Sequence, residues 1–194
     1  MRAFFWGHTH QLYLAADTWP VSEGVSLALV GSTIAEEIST LASRVVRDVS
    51  YQKSGPHQLD VLSPNSSEWQ GKRPAVLWLH GLGGDKSSGQ MWSLCKTLAA
   101  AGYVSASANF GDESDLFVAT ASHCKTAVRF LRSRASDYGI DSDRVAIGGY
   151  SYGCYLAFLV SFTEGDPCFD PWASTDGIGG LSVRSWIFTA RPRC

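Results

Sequence analysis

At 194 residues, 45% of them hydrophobic, the chain is long enough for one domain with a substantial core. A formal net charge of −2 provides no attraction for nucleic acid or an anionic membrane, and no apolar run approaches the ~18–20 residues of a membrane span. Five cysteines without a C-x-x-C spacing signal neither a disulfide framework nor a zinc site.

At the N-terminus, Phe4, Phe5 and Trp6 are followed by His8, Thr9, His10 and Gln11, which interrupt any signal-peptide core. Glu23 stands before the apolar stretch Val25–Ala35, where positive charge belongs. No secretory signal is read, and a cytoplasmic location is expected. Residues 1–43 read as an N-terminal extension, weakly structured or forming an appended helix, ahead of a domain spanning 44–194.

Regular patterning begins near Arg44. Val45–Tyr51 and Gln58–Leu62 predict two strands joined by the turn residues Ser54-Gly55-Pro56. After a polar loop, the continuous apolar run Pro74–Leu79 predicts a fully buried parallel strand ending at His80-Gly81. Ser87–Ala101 predicts a helix with Met91, Leu94, Cys95 and Leu98 on one face and Gly102 as its stop. Tyr103–Ala108 is the next strand.

Phe117, Ala121, Cys124, Val128 and Leu131 give the spacing of an amphipathic helix running to about Tyr138, with Gly139 behind it. Cys124 and Cys154 read as buried thiols on helix faces. Arg144–Gly148 predicts a short buried strand, Tyr152–Val160 an apolar helix, 163–180 a long loop and Val183–Ala190 a last strand. Strands alternating with helices predict an α/β fold, a mostly parallel central sheet with helices on both faces.

The chemistry is concentrated in two turns. Gly149-Tyr150-Ser151-Tyr152-Gly153 is a G-x-S-x-G sequence between a predicted strand and a predicted helix, the context of a nucleophile elbow. Glycines at both flanks let strand and helix approach closely while the turn lifts the serine hydroxyl out of the sheet. A serine in an ordinary turn is the plainer alternative, and the strand–turn–helix context argues against it. His80-Gly81-Leu82-Gly83-Gly84 is the companion signal. Acyl transfer needs backbone N–H donors at the developing oxyanion, and a glycine-rich turn after an early buried strand supplies them. His80 and Gly81 belong to this oxyanion-loop motif, and His80 is read as orienting the loop rather than as a base.

No histidine follows Ser151; His8, His10, His57, His80 and His123 all precede it. His123 is a stand-in candidate for the base, with surface helix histidine as the plainer reading, and His57 is weaker. Asp166, Asp170 and Asp176 follow the serine, but an acid with no histidine to orient reads as a loop aspartate in an Asx-turn. The triad histidine and acid are therefore not found in the sequence.

Several stretches together resemble the feruloyl/acetyl-xylan esterase-like branch of the α/β-hydrolases. They are Ser54–Val61, Leu79-His80-Gly81, Gly84-Asp85-Lys86, Ala127–Arg132, and Tyr138–Ala146 with the serine turn after it. The resemblance runs over roughly residues 48–190 and implies hydrolysis of small-molecule carboxylic esters through an acyl-serine, without a cofactor. In that branch the oxyanion loop is longer, which leaves the choice of donors here open; the amides of Leu82, Gly83 and Tyr152 are taken as the candidates. The branch also continues past the strand resembled by Ile187–Pro192 with strand–helix units that bear the acid and then the histidine, so these C-terminal units are expected to be missing. Their absence predicts an unpaired sheet edge near Val183–Ala190, covered by a second copy or a partner chain. A prolyl-oligopeptidase-like peptidase and a non-catalytic scaffold of the same fold are the alternative readings.

Overall fold

The computed structural model describes residues 3–5, 43–53, 55–65, 70–111, 117–170 and 187–190, with backbone alone at 3–5, 43 and 187–190. In chain order the elements are β1 (Ala3–Phe5), β2 (Ser43–Ser50), β3 (Gln58–Pro64), β4 (Arg73–Leu79), α1 (Gly89–Ala100), β5 (Val104–Ala108), α2 (Phe117–Ser133), α3 (Ala135–Tyr138), β6 (Ile140–Tyr150), α4 (Tyr152–Phe162) and β7 (Ile187–Ala190). The strands form one sheet in the order β1-β7-β6-β4-β5-β3-β2. Pairing is parallel from β1 through β5, and antiparallel for β5 with β3 and for β3 with β2. This is the mostly parallel α/β sheet that the alternating pattern predicts.

Period-two alternation sends the two sides of β4 into separate cores. Ala75, Leu77 and Leu79 face a cluster built with Cys124, Ala127, Val128 and Leu131 of α2 and with Leu156, Ala157 and Val160 of α4. Val76 and Trp78 face the opposite cluster, with Met91, Cys95, Leu98 and Ala99 of α1. Each fully buried Leu or Ile contributes ~1.5–3 kcal/mol, and both layers are needed because a parallel sheet is apolar on both faces.

The connections decide where a ligand can sit. From β4 the chain crosses through α1 to β5 on one side, then returns through α2 and α3 to β6 on the other side of β4. The loops after β4 and β6 therefore diverge at a topological switch point, and the crevice at the carboxyl ends of such strands is the usual binding position.

Several boundaries differ from expectation for local reasons. The elbow strand starts at Ile140, because residues 140–143 extend it beside Arg73. The long helix breaks at Arg134, leaving α3 as a single turn that Gly139 terminates in a left-handed conformation, φ 68°. α1 starts at Gly89 because Asp85 draws Ser87 and Ser88 into its own turn.

Two expectations about the chain ends are corrected. Ala3–Phe5 lie within the stretch read as weakly structured or helical, yet they form a strand paired in parallel with Ile187–Thr189. The edge expected to be open is thus occupied: β7 is paired with β6 on one side and β1 on the other. A three-residue strand is too short for hydrophobic periodicity to register. Residues 6–42, the segment 183–186 of the predicted last strand, Asp176 and Cys194 lie outside the described residues.

Burial separates the cysteines. Desolvation pushes the Cys95 thiol up to about 12 and raises Cys124 as well, and it raises half-buried Cys154 to a lesser extent. Cys168 is exposed. Because the thiolate is the reacting species, maleimide at pH 8 should modify Cys168 in the native chain. Cys95 and Cys124 should react only after denaturant is added, as peptide mass mapping would show; early modification of either would contradict the packing of α1 and α2.

Candidate functional site

Ser151 stands at the junction of β6 and α4 with φ 51° and ψ −116°, a backbone conformation that L residues adopt only under constraint. It is exposed, and its carbonyl accepts from the Cys154 amide at 2.9 Å, which starts the helix. Tyr152 follows as the first helical residue, where the amide has no partner within the helix and the macrodipole is positive.

The two flanking glycines are demanded by backbone contact. A Cβ on Gly149 would lie 2.2 Å from the Gly153 carbonyl atoms, and a Cβ on Gly153 would lie 2.2 Å from Leu79 O and 2.5 Å from His80 O. α4 therefore rests directly on the carbonyls that end β4. The serine turn and the loop after β4 are locked together by main chain.

That loop forms a tight turn from Gly81 to Gly84, closed by a bond from the Gly84 amide to Gly81 O at 3.1 Å, with Gly83 at φ 70° in its third position. A Cβ on Gly81 would sit 3.3 Å from Ser151 Cβ, so the loop backbone passes beside the serine. The Leu82 side chain projects into solvent, 62% exposed. Asp85 closes the next turn, its Oδ1 accepting from the amide and the hydroxyl of Ser87, both at 2.7 Å. The bond from the Ser87 hydroxyl, more than any other contact, holds the Asp85 carboxyl below its ordinary range, against the opposing effect of partial burial.

His80 is buried beneath this loop. Its Nδ1 lies 2.8 Å from Gly81 O, and since a carbonyl can only accept, Nδ1 carries a proton. The ring stacks on Phe110, centroids 4.2 Å apart, and the aromatic row continues through Tyr152 (6.2 Å from Phe110) to Phe117 (5.8 Å from Tyr152). His80 thus contacts the loop backbone at Gly81 and the Phe110 ring at once.

The structure sets Gly81 beside Ser151, with Leu82 and Gly83 following Gly81 in its turn and Tyr152 following the serine. It brings His123 and His57 to each other, with ring centroids 4.0 Å apart and His123 Nδ1 3.0 Å from Gln52 Oε1, beside Tyr51. Asp166 caps the short helical turn Pro167–Phe169 through the Cys168 amide at 2.9 Å. Asp170 is not an Asx-turn residue: both its carboxylate oxygens accept from the buried Arg129 guanidinium, at 2.5 and 3.1 Å.

One feature of the site is not legible from local sequence. Lys86 is buried, and its Nζ donates to Asp48 Oδ1 and to Asp60 Oδ1, each at 2.7 Å. Asp60 is wholly buried in β3 and also accepts from the Asp48 amide at 2.9 Å and from Arg47 Nη1 at 3.1 Å. Burial pulls the Lys86 ammonium down, but the two carboxylates more than offset this and leave it above the ordinary lysine value. The available signal was an aspartate at a core-facing position of an apolar strand.

Among the described residues no helix is long and apolar enough to cross a membrane, and no cluster of three potential metal-ligating side chains is formed.

Solved structures share this fold. A truncated carbohydrate esterase from gut microbiota superposes with a TM-score of 0.56 at 25% identity, over 64% of this chain and 45% of that one. A bifunctional GH43-CE protein of Bacteroides eggerthii gives 0.56 at 26% identity, over 63% and 18%. An α/β-hydrolase enzyme from a Medee basin deep-sea metagenome library, 21% identical over 62% and 51%, gives 0.54 and speaks to the fold alone. The chain thus spans less than half the length of the first two. No match is found among curated proteins. The BD-FAE family model matches residues 59–176, from the strand that holds Asp60, through both turns, and past Asp170. With more than half of the sequence inside that match and both turns in place, the chain belongs to the BD-FAE family, an esterase-type family of α/β hydrolases.

Proposed function

We propose that the site is that of a serine hydrolase acting on small-molecule carboxylic esters, with Ser151 as nucleophile and the amides of Leu82, Gly83 and Tyr152 as oxyanion donors. The observation that carries this reading is Ser151 itself. It is exposed and held in a strained turn at a helix N-terminus, with the Gly81 backbone alongside. Strain of this kind costs ~1–3 kcal/mol and persists where surrounding structure enforces it.

In the proposed reaction, Ser151 Oγ bonds to the ester carbonyl carbon and passes its proton to a base. The tetrahedral oxyanion collapses as the C–O bond to the alcohol breaks, and the alcohol leaves protonated. Water then cleaves the acyl-serine to a carboxylic acid and regenerates the hydroxyl. His80 holds the loop in shape through its Nδ1 proton, donated to Gly81 O.

Intact mass after treatment with a fluorophosphonate probe tests the reading, with Ser151→Ala alongside. A single adduct that the variant lacks is the expected result. Absence of an adduct in the parent chain would overturn the catalytic reading in favour of a non-catalytic scaffold. For a labelled chain, faster turnover of N-blocked peptide amides than of acetyl esters would replace the esterase by a peptidase.

A further inference from the structure

The turn proposed to hold the oxyanion is anchored at both ends. Its upstream end is fixed by main chain, with Leu79 O and His80 O against Gly153. Its downstream end is fixed by charge. The Lys86 amide donates to Asn109 Oδ1 at 2.7 Å, tying the loop to the end of β5, and the Lys86 ammonium reaches β2 and β3 through Asp48 and Asp60.

Three features built at some expense converge on this one ammonium. The first is a carboxylate, Asp60, with no solvent exposure in the middle of a strand. The second is a break in the β2–β3 register between Val46 and Val49, the kind of bulge that re-aims a side chain. The third is Asp48, at that break, in the left-handed region with φ 56°. Replacing a buried ion pair by apolar groups of similar size is often neutral or stabilising, so stability alone is a weak reason for the arrangement. Holding a specific geometry is a better one, since a donor displaced by about 1 Å can lose on the order of 100-fold in rate.

We infer that Lys86, clamped by Asp48 and Asp60, is a positioning residue that holds the Gly81–Gly84 turn in register with Ser151. The inference deepens the proposed function, because it takes this turn as the oxyanion site. Lys86 touches no reacting atom. It acts through the backbone four residues upstream.

The test combines amide hydrogen exchange of the full chain with the rate of fluorophosphonate labelling, for Lys86→Met, Lys86→Arg and Asp48→Asn. Asp48 is largely exposed, so its variant keeps the core intact. Exchange at the Gly84 amide, which is bonded to Gly81 O and closes the turn, should rise about tenfold or more in Lys86→Met and Asp48→Asn. The amides of 75–79 and 145–149 should keep parental rates, and Lys86→Arg should recover most of the protection. Labelling of Ser151 should slow by about 10- to 100-fold in step with turn exchange, less than the ~10²–10³ for a donor removed outright. Parental exchange in the turn, or equal acceleration in turn and strands, would overturn the inference. An unlabelled parent chain would overturn the proposed function instead, and the exchange comparison would still decide whether Lys86 holds the turn.

Discussion

Gly153→Ala should destabilise the chain by about 3 kcal/mol and abolish labelling of Ser151. Overpacking typically costs ~1–3 kcal/mol when flexible side chains can yield. Here the added carbon meets Leu79 O at 2.2 Å, Leu79 C at 2.6 Å and His80 O at 2.5 Å, all of them main chain. Those carbonyls end a strand paired on both sides, with β5 and with β6, so they cannot retreat without breaking register. Relief must come from lifting α4, which carries Leu156, Ala157 and Val160 out of the larger core. For a chain of this length the loss corresponds to a fall in Tm of about 6–12 °C. Thermal and urea denaturation with intact mass would check both effects; a Tm within 2 °C of the parent would show that helix and loop are not in main-chain contact.

Ser151→Gly should act in the opposite direction on stability while ending reactivity as completely. The side chain at Ser151 is held at φ 51°, ψ −116°, at a cost of ~1–3 kcal/mol. Glycine adopts this conformation freely, and its greater freedom in the unfolded chain returns ~0.5–1 kcal/mol of that gain. The net expectation is a gain of about 1 kcal/mol, or a Tm higher by about 2–4 °C. Ser151→Ala is the informative companion, since it retains Cβ and hence the strain, and should stay near the parent. Neither variant should take up the probe. A Gly variant no more stable than the Ala variant would mean the turn is not strained by its side chain.

What could be read without coordinates was what depends on neighbours in sequence. The apolar run Pro74–Leu79, the strand–turn–helix around Ser151 and the stop at Gly139 are local signals, and each occupies its expected place. Partnerships across the sheet were hidden. Lys86 and Asp60 are 26 positions apart, and His57 and His123 further still; nothing in either's surroundings announces the other. Asp170 reads as a turn residue in the sequence because its partner, Arg129, lies 41 positions earlier, and only the fold brings it to a guanidinium buried at 1% exposure. The strand at Ala3–Phe5 was missed for a different reason. Three residues carry too little pattern, and their pairing exists only because Ile187–Ala190 provides an edge.

That last pairing has a consequence for how the chain reaches its fold. The β2–β3 hairpin and the βαβ crossings can assemble as soon as their own residues are available, but Ala3 must wait for Ile187, almost the whole sequence later. Contacts of such separation form late because loop closure must precede any gain from them. A segment early in this sequence is thus among the last to find its place. Until then the edge of Ile187–Ala190 stands unpaired, and an edge left open in a folding intermediate is a site where chains associate.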